Sequence, residues 1–349
     1  MTICYFGTYK PGDSRNRVLI KGLKENGVEI IECRVNFKGW KKYLGLIRDL
    51  IRKHKKIKDK YDIMIVGYPS EFMVPIAKIL SKKPIIFDAF ISRYNTEREK
   101  GRLLRAKLYW LMDWLSCKLA NLVLLDTNRH IEYFVSKYYL DKRKFRRIFV
   151  GTDNQIFKPL SRKKKNKKFK VLFYAKITPM HGIGHILEAA KILEKYSDIE
   201  FDIVGKGEQY KKIKKNYSNL KKVNFFKEIT YEQLPQFVKE ADVCLGIFSG
   251  TPKAKMVIPK KVFEAIAMKK PIISGKSKAM KELFRDGENC LFCRMADAKD
   301  LANKILELKS RPNLRNKIAQ NGYKLFKAKL TSKVLGGELK SILYVQKNY

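Results

Sequence analysis

Short apolar runs alternate with amphipathic segments along the second half of the chain. The apolar runs are strand-like and lie at 171–175, 200–204, 223–226 and 242–247. Helical patterns separate them, at 184–195, 207–216 and 231–240. Strands that alternate with helices in this way form a parallel sheet covered by helices. The same alternation occurs in the first half, with strand-like runs at 2–7, 28–35, 61–67, 84–90 and 122–126. The sequence therefore predicts an α/β protein with two Rossmann-like domains.

The stretch from Pro259 to Asn289 continues this pattern and contains one residue that breaks it. Residues 260–268 have an apolar helical band, and 271–275 is a short apolar strand that ends in glycine. Residues 280–284 are predicted to begin the next helix. Glu264 lies inside the apolar helix, where a carboxylate is costly unless it is paired. One interpretation is an acid that stabilises a helix N-terminus. The other is a carboxylate that binds a sugar diol, with Lys261 one turn earlier directed at a phosphate.

The order of residues in this stretch resembles a known motif. Pro-x-Lys-x-x-Glu-Ala at 259–265, followed by Ala-Met-x-x-Pro-Ile-Ile-Ser at 267–274, is similar to the nucleotide-sugar motif of family 4 glycosyltransferases. These are retaining enzymes of the GT-B fold. The resemblance implies two Rossmann-like domains with a donor cleft between them, and a nucleotide sugar as co-substrate with no other cofactor. It covers nearly the whole chain and is strongest over 171–290.

The resemblance also assigns residues to the donor. Ala175 to Gly182 resembles the family's phosphate loop, in which Lys176 and His181 replace an arginine and a lysine. The implied donor-binding set is Lys176, His181, Gly182, Gly205, Gly207, Ile229, Lys261 and Glu264. Gly7 is added because it ends the first strand, at the edge of such a sheet that faces the ligand; the alternative is a plain connection. Ile229 belongs to a segment that is expected to contact the base through its backbone. Met256 occupies the position of the family's first glutamate, so the sugar is not identified by this motif.

A hypothesis for catalysis follows from these positions. Lys176, His181 and Lys261 would stabilise the diphosphate as it leaves, and Glu264 would hold the ribose diol. Asp88, at the carboxyl end of a strand, is predicted to act as a base or to orient the acceptor; the alternative is a capping residue at a turn. A polar, aromatic loop is predicted over 88–95. No Asp-x-Asp occurs, which favours metal-independent transfer. Lys176, Lys261, Glu264 and Asp88 are the predicted catalytic residues.

Domain boundaries follow from a basic segment and from the resemblance. Residues 158–170 contain eight Lys or Arg residues and no acid, which is typical of a solvated linker. We predict an N-terminal acceptor domain over 1–157, the linker over 158–170 and a donor-binding domain over 171–330. A C-terminal helix over 331–349 would cross back to the first domain, as in other GT-B enzymes.

The formal net charge of +42 leaves several partners open. Nucleic acid, an anionic membrane and a Lys-rich proteome would each explain it. Residues 39–58 combine helical apolar spacing with basic residues, so they predict either a helix packed on the sheet or one that lies on anionic lipid. We expect a cytoplasmic protein, with peripheral attachment to the inner face of the membrane as one possibility.

The predicted function is retaining, metal-independent transfer of a sugar from a UDP- or GDP-sugar. The acceptor would be a glycan or lipid-linked molecule in cell-surface polysaccharide or glycolipid synthesis. Alternatives are a GT-B epimerase, a non-catalytic nucleotide-sugar binder and a basic nucleic-acid-binding protein. No recognition helix, zinc finger or RNA platform is recognisable, so nucleic acid is not the expected partner. The pair Cys290 and Cys293 has the spacing of half a zinc site but lies in a strand-like run, which argues against a metal site.

Overall fold

The computed structural model describes residues 1–36, 43–161, 168–207, 210–227 and 229–347. The chain divides into two compact units. The first comprises Met1–Asp153 with Thr331–Tyr349, and the second comprises Asn154–Leu330. The predicted linker 158–170 and the segment 39–58 are therefore described only in part, because residues 162–167 and 39–42 lie outside the described ranges.

The first unit contains a parallel sheet with the strand order β2-β1-β3-β4-β5-β6. Its strands are β1 (Thr2–Gly7), β2 (Glu29–Arg34), β3 (Ile63–Val66), β4 (Ile85–Phe90), β5 (Leu122–Leu125) and β6 (Phe145–Arg147). Its helices are α1 (Ser14–Glu25), α2 (Tyr43–Lys55), α3 (Val74–Leu80), α4 (Arg93–Glu99), α5 (Leu103–Leu119), α6 (Asn128–Tyr138) and α13 (Ser332–Lys347).

The second unit contains another parallel sheet, with the strand order β12-β11-β10-β7-β8-β9. Its strands are β7 (Phe169–Lys176), β8 (Ile199–Lys206), β9 (Val223–Phe226), β10 (Val243–Leu245), β11 (Ile272–Gly275) and β12 (Leu291–Cys293). Its helices are α7 (Ile183–Ile192), α8 (Tyr210–Asn216), α9 (Leu234–Glu240), α10 (Lys260–Ala267), α11 (Ala298–Ser310) and α12 (Pro312–Lys329). The two sheets confirm the predicted α/β class with two Rossmann-like domains.

Burial of the strands explains why their sequences are nearly continuous apolar runs. Every residue of β3, β5, β10, β11 and β12 is buried. Strands covered on both faces lose the polar alternation of a half-exposed sheet. Capping side chains set several helix starts, including Asp13 at α1, Thr127 at α6 and Asp297 at α11, each of which accepts a hydrogen bond from a backbone N–H of the first turn.

The last helix packs closely on the first. A Cβ atom on Gly336 of α13 would lie 2.0 Å from the carbonyl carbon of Gly22 in α1. Only glycine at this crossing lets the two backbones approach so closely. The Asn26 side chain adds a hydrogen bond of 2.7 Å to the Lys333 carbonyl oxygen. Residues 331–347 thus belong to the first unit although they follow the second in sequence.

Two local predictions were wrong. The helix expected from Met280 to Phe284 is a single 3-10 turn over Met280–Glu282. The polar loop expected after Asp88 contains the helix α4, which Ser92 caps by accepting a hydrogen bond from the Asn95 backbone N–H. Both segments are too short for helical periodicity to be read from sequence.

Within the described ranges, no helix has both the length and the apolar character that crossing a membrane requires.

Candidate functional site

The strand order of the second unit defines where a ligand would bind. From β7 the chain adds β8 and β9 on one side and β10, β11 and β12 on the other. In open α/β sheets, ligands bind at the carboxyl ends of the strands where the order reverses. Here that point lies between β7, which ends at Lys176, and β10, which is followed by Gly246. The residues around it form the candidate site.

Lys261 places a buried amino group at this point. It lies in the first turn of α10, and its Nζ is 3.5 Å from the Gly246 carbonyl oxygen. The same atom is 3.8 Å from the centroid of the Phe173 ring. Burial lowers the pKa of Lys261 well below its ordinary value, and the charge of Glu264 opposes that shift. An anion bound here would favour the charged ammonium, which is the behaviour expected of a phosphate-binding lysine.

Glu264 lies one turn further along α10 and is almost fully buried. Burial raises the pKa of its carboxyl group, whereas the Lys260 ammonium and the hydroxyl groups of Tyr174 and Tyr231 oppose the rise. The Tyr174 hydroxyl also donates to the Lys261 carbonyl oxygen at 3.1 Å. The carboxylate is therefore held among hydrogen-bonding groups rather than on an exposed helix end.

The two tyrosines are not recognisable from the sequence as neighbours of Glu264. Tyr174 lies in a strand-like run, and Tyr231 lies at the start of a predicted helix. In the structure that helix, α9, begins three residues later at Leu234. The position of Tyr174 near the carboxyl end of a parallel strand was the signal that could have placed it at a ligand-binding edge.

Lys176 and His181 belong to the loop between β7 and α7. Lys176 is exposed and lies in register with Lys206 of β8. His181 ends a 3-10 turn, and its Nδ1 is 3.0 Å from the Thr178 hydroxyl oxygen. Burial lowers the pKa of His181 to about 2, and the charges of Lys261 and Lys253 act in the same direction. His181 is thus a neutral hydrogen-bonding group in the unliganded protein, not a second cation.

Glycines allow this loop to pack against the next strand end. Gly182 has φ of +67°, and a Cβ atom on it would lie 2.5 Å from the Ser249 backbone nitrogen. The Phe248 N–H donates to the His181 carbonyl oxygen at 3.1 Å. Only a residue without a side chain fits this conformation and this distance. Gly182 therefore fixes the loop that carries His181 beside the strand end after β10.

Gly205 and Gly207 are explained by backbone packing in the same way. Gly205 has φ of +153°, and a Cβ atom on it would lie 1.9 Å from the Ala175 carbonyl oxygen. Gly207 has φ of +158°, and a Cβ atom on it would lie 2.2 Å from the Ile177 carbonyl oxygen. Both glycines therefore let the end of β8 approach the end of β7. This reason for glycine requires no ligand, and contact with a nucleotide stays a prediction for both.

Ile229 and Met256 also lie in the second unit. Ile229 is half-buried and follows β9 by three residues. Met256 is buried, so an apolar side chain fills the position at which the resemblance implies a carboxylate. The structure thus offers no acid at residue 256 for a donor sugar.

Gly7 and Asp88 belong to the first unit. Gly7 ends β1, and a Cβ atom on it would lie 2.5 Å from the Ser70 hydroxyl oxygen. Asp88 is fully buried in β4, and its carboxylate accepts hydrogen bonds of 2.8 to 3.2 Å from the Arg15 guanidinium group. A base or an orienting group must reach the acceptor, and Asp88 is both inaccessible and already paired. The prediction of Asp88 as a catalytic residue is therefore corrected to a structural role, which sequence reasoning missed because Arg15 is 73 residues away.

The described parts of the chain contain no cluster of three or more His, Cys, Asp or Glu side chains that could hold a metal ion. All six cysteines are buried thiols, including Cys290 and Cys293. Burial raises the pKa of both thiols, which disfavours the thiolate that zinc requires.

The second unit, which contains the candidate site, matches a known protein family. Residues 154–325 match the family described as glycosyl transferases group 1. An uncharacterized glycosyltransferase of Methanocaldococcus jannaschii is 27% identical over 154 residues, which are 43% of this chain and 41% of that protein. The chain thus matches less than half the length of this curated relative.

Solved structures are similar over the whole chain. The Anabaena protein Alr3699/HepE in complex with UDP-glucose has a TM-score of 0.75 at 16% identity and covers 99% of this chain and 100% of its own. Sucrose-phosphate synthase from Thermosynechococcus elongatus has a TM-score of 0.75 at 14% identity and covers 99% of both chains. At this identity the likeness shows the fold, and the GT-B prediction is confirmed.

Proposed function

We propose that the chain is an enzyme that transfers a sugar from a nucleotide-sugar donor, on the basis that its residues 154–325 match the family of glycosyl transferases group 1. One observation carries the proposal. The amino group of Lys261 and the carboxylate of Glu264 lie one turn apart on α10. They lie beside the point between β7 and β10 where the strand order reverses and where α/β sheets bind ligands. A cation for the diphosphate and an acid for the ribose diol are the two groups that such a donor needs.

Each residue of the site has a role in the proposed reaction. The bond from the anomeric carbon to the diphosphate oxygen breaks, so negative charge develops on the nucleoside diphosphate. Lys176 and Lys261 stabilise that charge, and neutral His181 donates a hydrogen bond to a phosphate oxygen. Glu264 accepts hydrogen bonds from the ribose hydroxyl groups. Gly182, Gly205 and Gly207 hold the loops, and the backbone at Ile229 contacts the base.

The stereochemistry and the metal requirement are further parts of the proposal. Retention of configuration means that the acceptor attacks from the leaving-group face. A phosphate oxygen of the departing diphosphate then accepts the acceptor's proton, and no separate protein base is needed. This is compatible with the structural role of Asp88. Because fixed lysines supply the positive charge, we propose that transfer needs no metal ion.

The donor is proposed to be a UDP- or GDP-sugar and the acceptor a glycan or a lipid-linked molecule. UDP-glucose is bound by the Anabaena protein of the same fold, which supports a UDP-sugar as the first candidate. We propose a role in cell-surface polysaccharide or glycolipid synthesis, at the cytoplasmic side of the membrane. The basic composition supports an acceptor at an anionic surface rather than in free solution.

A binding screen tests the donor site directly. Thermal unfolding is measured with a panel of UDP- and GDP-sugars for the natural protein, for Glu264→Gln and for the control Glu288→Gln, whose side chain is half-exposed on the surface. We expect one nucleotide class to raise the unfolding midpoint of the natural protein and the control but not of Glu264→Gln. Absence of any shift with the whole panel would contradict the proposal.

A non-catalytic nucleotide-sugar binder is the second candidate, because Met256 and neutral His181 depart from the expected pattern. A GT-B epimerase would use the same donor. Donor consumption with and without candidate acceptors separates the three. Transfer requires the acceptor, an epimerase alters the donor without one, and a binder leaves the donor unchanged in both reactions.

The same screen tests a nucleic-acid partner. The rise in unfolding midpoint that the nucleotide sugar causes should be insensitive to added duplex DNA or RNA, whereas competition would favour a nucleic-acid partner.

A further inference from the structure

The outer face of α5 carries large apolar side chains that are exposed among the residues that the structure describes. Leu104, Leu108 and Leu111 recur at helical spacing and are 84%, 45% and 47% exposed. Arg105 and Lys107 are exposed beside them. We call these five residues the basic leucine face. The inner side of α5 packs on the core of the first unit through Cys117, so α5 is apolar on two opposite sides.

The adjacent helix also carries an exposed apolar residue among lysines. α3 packs beside α5, and its Ile79 is 85% exposed between the exposed lysines Lys78 and Lys82. Exposed apolar side chains are ordinary when scattered singly, but three that recur along one face of a helix mark an interaction surface.

Charge decides which partner fits. Residues 74–90 and 103–119 contain two acids, Asp88 and Asp113. Both are buried, and Asp113 accepts hydrogen bonds from Ser92 and Tyr138. Every exposed charge of these two stretches is therefore positive. A second copy of the chain is a poor partner, because a two-fold interface would place Arg105 and Lys107 near the same residues of the other copy.

We propose that the basic leucine face binds an anionic phospholipid bilayer. Leu104, Leu108 and Leu111 insert at the boundary between headgroups and acyl chains, and Arg105 and Lys107 contact lipid phosphates. The described part of α2, which the sequence suggested for this role, differs. Its Leu50 is buried and Leu46 packs on the same core, which leaves Leu44, 82% exposed, as its exposed leucine. A basic helix with one exposed leucine buries less apolar area in a bilayer than the three leucines of the basic leucine face.

The basic leucine face also bears on the acceptor of the proposed reaction, and this step rests on the proposed function. α5 leads into β5, so it runs opposite to the parallel strands, and Leu103 begins it at their carboxyl edge. That edge is where α/β domains bind ligands. A bilayer on the basic leucine face would therefore bring a lipid-borne acceptor to the binding edge of the first unit.

Vesicle binding tests the proposal without donor or acceptor. Co-sedimentation is measured with vesicles of phosphatidylcholine and phosphatidylglycerol, and with phosphatidylcholine alone. We expect binding only to the anionic vesicles. Arg105→Glu with Lys107→Glu should lower the partition coefficient by at least about thirtyfold, from ~1 kcal/mol for each basic residue near the surface and ~1.4 kcal/mol per tenfold. Leu104→Gln with Leu108→Gln leaves the charge unchanged and should lower it by at least about tenfold.

A matched control separates this face from the charge of the whole protein. Lys317 and Lys324 are exposed on α12, which has no large exposed apolar residue. Changing both to Glu alters net charge as much as the Arg105 and Lys107 variant and should leave at least half of the binding. Equal loss in the control, unchanged binding in the leucine variant, or equal binding to neutral vesicles would overturn the proposal. Concentration-dependent dimers that the leucine variant abolishes would assign the face to a second copy instead. A failed transfer assay would not bear on these results.

Discussion

Arg15 and Asp88 form an ion pair in which neither side chain is exposed to solvent. The Arg15 Nη2 is 2.8 Å from the Asp88 Oδ1, and Nη1 donates to the carbonyl oxygens of Ile148 and Phe149 at 2.6 and 3.1 Å. Arg15 lies in the first turn of α1 and Asp88 in β4. The pair thus joins a helix, a central strand and the segment that follows β6. Loss of one partner leaves the other charge buried.

Replacement of Asp88 by Asn should destabilise the protein rather than impair chemistry. We expect the free energy of unfolding to fall by about 3–5 kcal/mol, because Arg15 keeps its charge without a counterion. Urea unfolding measures this, and transfer activity is normalised to the folded fraction. Asp59→Asn, at an exposed position of the same unit, should change stability by less than about 0.5 kcal/mol.

The double variant Arg15→Met with Asp88→Leu completes this test. Because both charges are removed together, it should be more stable than the sum of the single losses predicts. An Asp88→Asn protein with natural stability and no transfer would restore the catalytic assignment.

This ion pair shows what the sequence could and could not predict. Both sheets were predictable from the alternation of strands and helices, because a strand that is buried on two faces is a continuous apolar run in its own local sequence. Lys261 and Glu264 were predictable together, because four residues of one helix carry them. The partners of Glu264 and Asp88 were not predictable. Tyr174 and Arg15 are distant from these acids in the chain, and only the order of the strands in the folded sheets brings them into contact. His181 was identified, but its neutral state depends on burial and on Lys253 and Lys261, which spacing does not reveal.

Glu264 should be required for donor binding. Glu264→Gln keeps the shape but removes the charge that accepts hydrogen bonds from the ribose, so we expect donor affinity to fall about 10- to 100-fold. Isothermal titration with the donor found in the screen measures this. Because burial raises the pKa of the Glu264 carboxyl group, the neutral amide should not destabilise the fold. Unchanged affinity in Glu264→Gln would remove Glu264 from the site.

Gly182 and Gly184 offer a matched pair two residues apart. Gly182→Ala places a methyl group 2.5 Å from the Ser249 nitrogen at a φ of +67°, so we expect a loss of about 2–3 kcal/mol in unfolding free energy and weaker donor binding. Gly184 lies within α7, and a Cβ atom there meets nothing within 4 Å. Gly184→Ala should therefore be neutral or stabilising by up to about 1 kcal/mol. Equal behaviour of the two variants would contradict a packing role for Gly182.

Transfer should not depend on a divalent ion. The proposed charge stabilisation comes from Lys176 and Lys261, so activity should persist after dialysis against EDTA and should not rise with Mg²⁺ or Mn²⁺. Lys261→Met should instead lower kcat by about 100-fold or more, because it removes a preorganised charge from the leaving group. Activity that EDTA abolishes and Mn²⁺ restores would refute metal-independent transfer.

His181 should make stability depend on pH below its ordinary pKa. Burial lowers the pKa of His181 to about 2, whereas the unfolded chain protonates histidine near 6.5. Between these values the unfolded state binds more protons, so the stabilisation is complete above pH 6.5 and is lost as pH falls toward 2. From pH 7.5 to pH 5, His181→Gln should lose about 2 kcal/mol less unfolding free energy than the natural protein, at ~1.36 kcal/mol per pH unit. His185→Gln, at a half-buried position one turn away, serves as the control, and urea unfolding at both pH values gives the comparison. Equal losses in the natural protein and His181→Gln would show that His181 protonates as readily in the folded protein as in the unfolded chain, and neutral hydrogen bonding to the diphosphate would then be wrong.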